Sequence, residues 1–132
     1  ARGKKSSAAS DVYKRQVLGG VSAGASCWFQ GCVTDAFGPI RAWRGGLGLL
    51  DGSFCPHFDR KENRAEVYAQ AVASGVLPAG YAVDDGAAVR FTDGEFAEVV
   101  AEREEATVGR IATTQEPASS GIYREELAPR LL

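Results

Sequence analysis

The sequence predicts an α/β fold, and three observations carry that expectation. A short apolar segment at 17–18 runs through two glycines into Ser22 and then into a helix-compatible stretch, the pattern of a sharp strand-to-helix turn. A helix at 62–73 places Ala65, Val67, Tyr68, Ala71 and Val72 in an apolar stripe, with extended runs on either side at 53–57 and 81–83. Two β-prone runs at 87–92 and 95–100 are joined by Asp93-Gly94, the strongest hairpin signal in the chain.

Taken in order, 25–30 reads as a short helix that Gly31 interrupts, and 32–37 as a short strand ended by Gly38-Pro39. Residues 41–46 read as an exposed loop with Trp43 as a partial anchor. The apolar 46–50 leads to a turn at Asp51-Gly52. Pro56 keeps 53–57 extended, because it lacks a ladder donor and biases Cys55 away from the helical region. The 62–73 helix takes Asn63 as its cap and Gly75 as its C-terminal stop, with Pro78 three residues on. The strand at 81–83 runs into Asp84-Asp85-Gly86, and 107–113 is a further strand. Pro117, Ser119, Ser120, Gly121 and Pro129 mark 115–132 as a loosely structured tail.

A chain of 132 residues, 45% hydrophobic and 24% charged, suits one domain with a small core. No apolar run approaches membrane-spanning length and no signal peptide is visible, so no membrane partner is expected. There is no methionine. Residues 6–16 resemble an in-frame translation of a transposon-type sequencing adaptor, so 1–16 are expected to be a non-native leader, with the protein proper starting near Val17. That leader holds five Lys/Arg and one Asp. Without it the chain is more acidic than its overall net charge of −2, which argues against a nucleic-acid partner. Three cysteines, an odd number, fit a reducing cytoplasm better than a disulfide framework. Cys55 and His57 with Cys27 and Cys32 match no common zinc module; Cys27 and Cys32 read as small buried hydrophobes, and no metal or cofactor is expected.

The run Gly20-Val21-Ser22-Ala23-Gly24 is where chemistry is expected. A serine held in strained backbone needs glycines two before and two after it, since a Cβ there would collide with the opposite arm of the turn. The Ala23 N–H, at the start of the following helix, is placed to stabilise an oxyanion. A serine hydroxyl is a weak nucleophile and requires a base that a third group orients. His57 is the single histidine in the chain. An imidazole ordinarily titrates near ~6.5, close to where a base serves best at neutral pH. Asp35 and Asp85 compete for the orienting role.

The blocks Gly20 to Ala25, Val33 to Asp35, Gly46 to Leu50, Gly52 to His57 and Gly80 to Ala88 occur in the order seen in the peptidase E-like serine peptidases, which include aspartyl dipeptidases and cyanophycinases. The resemblance runs from Val17 to about Ile111. It implies a Rossmann-like sandwich similar to the glutamine amidotransferase fold over 17–114, with its N-terminal half missing. It implies Ser22 as nucleophile, His57 as base and Asp85 as the orienting acid. Asp35 would be a carboxylate that shapes the site or the substrate. The implied partner is a small peptide, such as a dipeptide with N-terminal aspartate, and a homodimer is left open. The family carries further strands and a second oxyanion donor before the turn, so this chain alone is expected to be marginally stable and inactive. Two alternatives stay open: another amide-hydrolysing or acyl-transfer enzyme on the same fold, and a non-catalytic binding or regulatory domain.

Overall fold

The computed structural model describes residues 16–60, 63–113 and 122–132. Three short parallel strands lie at its centre: β1 (Gly31–Thr34), β3 (Ser53–Cys55) and β4 (Gly80–Val83). The antiparallel β2 (Arg41–Trp43) borders β1, and β7 (Val108–Thr113) and β8 (Ile122–Leu127) extend the other side. The resulting order is β2-β1-β3-β4-β7-β8. A second sheet, in order β5-β6-β9, is built from β5 (Ala87–Thr92), β6 (Glu95–Ala101) and β9 (Pro129–Leu131). The helices are α1 (Ala23–Ser26) and α2 (Arg64–Ala73). Among the described residues no helix is long and apolar enough to cross a membrane.

Successive strand residues face opposite sides, and the core divides accordingly. Val33, Cys55, Ala82 and Ile111 pack on one face with Tyr68, Ala71 and Val72 of α2. Phe54, Tyr81, Val83 and Val108 pack on the other with Phe29 and Val99. The fold is therefore Rossmann-like α/β, with the hairpin sheet rather than a helix covering its second face among the described residues. At the hairpin tip Asp93 and Gly94 both have positive φ, 53° and 80°, as a two-residue turn matched to strand twist requires. Gly75, at φ 81°, closes α2.

Several expectations are corrected. Residues 17–20 form no strand, since a strand needs a hydrogen-bonded neighbour and none of the described residues supplies one; Val17 is fully exposed. The helix expected at 25–30 is a single turn shifted back to Ala23–Ser26. The strand expected at 32–37 ends at Thr34, where the Thr34 hydroxyl accepts the Ala36 N–H at 3.1 Å and starts a turn. Asn63 precedes α2 but makes no side-chain capping bond. The loop at 41–46 contains edge strand β2, whose one-sided pairing tolerates the exposed Arg41. The loose tail at 115–132 is corrected for 122–131, which form β8 and β9; edge strands need no apolar alternation, so charges there hide them. The leader at 1–16 lies outside the described residues except for Gln16, as do 114–121.

An ion cluster supports β9. Arg130 Nε and Nη2 donate to Glu98 Oε1 and Oε2 at 2.9 and 3.2 Å, and Arg90 Nε donates to Oε2 at 2.8 Å. The Arg130 bonds first, then the Arg90 bond, hold the Glu98 carboxyl down to about 2. A carboxyl depressed on folding supports the folded state above its ordinary range and loses that support as pH falls through its folded value. The window therefore runs from the ordinary glutamate range down to about 2. The Leu132 N–H donates to Ala101 O at 2.9 Å beside this cluster. The Glu98 side-chain carboxyl resonance should titrate toward the low end of that window, with the midpoint moving up toward the ordinary glutamate range at high salt and in Arg130→Gln.

Candidate active site

Ser22 stands immediately before α1 with φ 56° and ψ −120°, a conformation that costs a side-chain-bearing residue about 1–3 kcal/mol. The turn brings Gly20 against the start of the helix, and a Cβ on Gly20 would lie 2.0 Å from the Gly24 carbonyl oxygen. Gly24 is different. A Cβ there meets nothing within 4 Å, so the expected collision holds at Gly20 and not at Gly24. Gly20→Ala should therefore cost about 1–3 kcal/mol in urea unfolding. Gly24→Ala should be neutral or stabilising by up to about 1 kcal/mol, because alanine restricts the unfolded chain and suits a helix.

The N–H groups of Gly24, Ala25 and Ser26 bond back to Val21 and Ser22 carbonyls, at 2.9 Å each. Among the described residues none accepts from the Ala23 N–H, which stays available next to the Ser22 hydroxyl.

Beyond the end of β3, Pro56 leads into His57, itself at φ 54°. Ser22 Oγ lies 2.8 Å from His57 Nε2, and His57 Nδ1 is hydrogen-bonded to Asp85 Oδ1. An ionised carboxylate only accepts, so Nδ1–H donates to Asp85 and Nε2 is left to accept from the serine hydroxyl. Asp85 is held through its side chain and its backbone. Its Oδ2 accepts from Arg60 Nε at 3.1 Å, its N–H donates to Asp59 Oδ1 at 3.0 Å, and its carbonyl accepts from Arg103 Nη2 at 2.7 Å. The His57 bond, with the Arg60 bond behind it and against some desolvation, holds the Asp85 carboxyl below the usual carboxylate range. Neighbouring Asp84 turns the other way, accepting from the Thr107 N–H and hydroxyl at 3.0 and 2.9 Å.

Three of the four residues expected at the site thus meet. Asp35 does not enter the row; its Oδ2 lies 3.5 Å from Nη2 of the buried Arg64. The braces Asp59, Arg60, Arg64 and Arg103 escaped sequence reading. Charged residues in loops or at a helix start ordinarily read as solvated, and only Asp59 and Arg60, two and three residues after His57, carried a positional hint.

The cysteines take no part. Cys32 and Cys55 are buried, and burial pushes the Cys55 thiol up to about 12. Cys27, expected to be buried, is half-buried, with its thiol on the Gly24 carbonyl at 3.3 Å. Among the described residues no three His, Cys, Asp or Glu side chains group as metal ligands.

Ser22 aside, the row is assembled where loops leave the carboxyl ends of parallel strands, the usual ligand side of such sheets. The class so defined is an α/β protein carrying a hydroxyl, an imidazole and a carboxylate in a hydrogen-bonded row, the arrangement that activates a nucleophile. Residues 5–99 match the family model of Peptidase family S51, and the chain belongs to that family. It is 43% identical over 95 residues to the uncharacterized peptidase YgaJ of Bacillus subtilis (strain 168), across 72% of this chain and 41% of that protein. The chain therefore spans about two fifths of the length of the curated relative it matches. No solved structure matches it.

Proposed function

We propose that the intact protein is a serine peptidase that cleaves short peptides through an acyl-enzyme on Ser22. The observation that carries this reading is the unbroken row from Ser22 Oγ through His57 to Asp85. His57 Nε2 takes the hydroxyl proton as Ser22 Oγ attacks the peptide carbonyl carbon. The Ala23 N–H donates to the oxygen as it gains negative charge. The protonated imidazole then gives its proton to the departing amine, and water, deprotonated by the same nitrogen, releases the acyl group. Asp85 keeps the ring in one tautomer and stabilises its charged form.

Family resemblance supports short peptides with N-terminal aspartate as substrates, and the free thiols suit a reducing cytoplasm. A fluorophosphonate probe on the intact protein tests the reading. Covalent labelling at Ser22, lost in His57→Ala, supports it. An unlabelled but folded protein would favour a binding or regulatory role, and a labelled protein that hydrolyses no member of a peptide library would favour a different acyl-transfer enzyme.

A further inference from the structure

Arg64 is 3% exposed and is the first residue of α2. A cation there faces the positive end of the helix dipole and gives up its hydration. Such a placement persists only where other contacts offset it. Two contacts among the described residues contribute: Nη1 donates to the Pro56 carbonyl at 3.4 Å, and Nη2 lies 3.5 Å from Asp35 Oδ2. Pro56 is the residue immediately before the base.

His57 sits at φ 54°, a region that residues other than glycine hold only when their surroundings over-determine it. The chain after the ring is fastened twice, with Phe58 N–H donating to Val83 O and Arg60 N–H to His57 O, both at 3.0 Å. The peptide that joins Pro56 to the ring residue is held through the Pro56 carbonyl, which accepts from Arg64 Nη1 at 3.4 Å and, more weakly, from the Cys55 thiol at 3.8 Å.

We propose that Arg64 is a positioning residue for His57, with Asp35 as its counter-ion, so that the guanidinium fork ties the end of β1 to the backbone that aims the base. The role suits arginine, whose rigid fork can address a carbonyl and a carboxylate at once, whereas lysine offers a point charge. Asp35 thus acts on the site through Arg64 and touches none of the reacting groups.

The kinetic part of the test rests on the peptidase reading; the spectroscopic part does not. In the intact protein labelled with 15N-histidine, the His57 Nδ1–H proton is assigned by its loss in His57→Gln. Arg64→Met should broaden or shift that resonance and lower kcat about 10- to 100-fold with KM changed less than about twofold, the cost of a base displaced by an ångström or less. Arg64→Lys should recover part of both. A folded Arg64→Met protein with the parent resonance and parent kcat overturns the proposal. Should Arg64→Met fail to fold, Asp35→Ala decides. That side chain is two-thirds exposed, so its loss opens no cavity, and the cost of Asp35→Ala is confined to the counter-ion it withdraws from Arg64. A perturbed His57 resonance supports the positioning role, and an unchanged one overturns it. A resonance that shifts in a protein without turnover removes the peptidase reading and leaves the positioning role standing.

Discussion

Ser22→Ala in the intact protein is expected to lower kcat on short peptides by about a million-fold while leaving the fold unaltered. The hydroxyl is half-buried and its one polar partner among the described residues is His57 Nε2, so alanine removes the proposed nucleophile and little else. On the proposed mechanism nucleophile and base act as one unit, so Ser22→Ala combined with His57→Ala should cost no more than Ser22→Ala alone. What survives would be the contribution of binding and of the Ala23 N–H, some three orders of magnitude over water. Steady-state hydrolysis, with circular dichroism as the folding control, measures the effect. A single mutant retaining a tenth of the parent rate would remove Ser22 from the chemistry.

Asp85→Asn is expected to lower kcat about 10⁴-fold at neutral pH. An asparagine that offers its amide N–H to Nδ1 forces the proton onto Nε2, and a protonated Nε2 cannot accept from Ser22. The Arg60 guanidinium also loses its anionic partner 3.1 Å away. The sign of the pH effect follows from the depressed carboxyl. Asp85 is ionised above its folded value, and the support it lends to the folded corner is lost only as pH falls through that value, below the ordinary aspartate range. Lowering the pH within the ordinary range therefore leaves Asp85 charged, and turnover lost there arises at another group. A pH–rate profile of Asp85→Asn superimposable on that of the parent would contradict the assignment.

The strongest local signals are legible in the residues alone. The Asp93-Gly94 turn and its two strands need only neighbours in sequence, and so does the apolar stripe of α2 from Val67 to Val72, although Ala65, expected in it, is exposed. Gly20 against Gly24 is also a local event, closed within five residues, which is why the serine turn was legible even though the following helix is only one turn long. The strands at the edges were not legible. β2, β8 and β9 are paired on one side only and are largely exposed, so their residues carry no apolar alternation. Arg64 was hidden for a related reason: its partners, Pro56 and Asp35, are eight and twenty-nine residues away.

The residue types at 20–24, the single imidazole and the pair of competing carboxylates follow from the sequence alone, because each depends on steric or chemical properties of a few adjacent residues. Which carboxylate meets the ring was decided by the tertiary structure. β3 lies between β1 and β4, so the loops carrying Asp35 and Asp85 both emerge beside His57. Counted from the aligned residues Cys32, Phe54 and Tyr81, Asp35, His57 and Asp84 each lie three residues on and Asp85 four, so strand register alone does not select Asp85. The separation comes from the other partners: Arg64 draws Asp35 aside, Thr107 takes Asp84, and Arg60, Asp59 and Arg103 hold Asp85 against the imidazole. Those contacts join residues distant in the chain, and only folding brings them within hydrogen-bonding range.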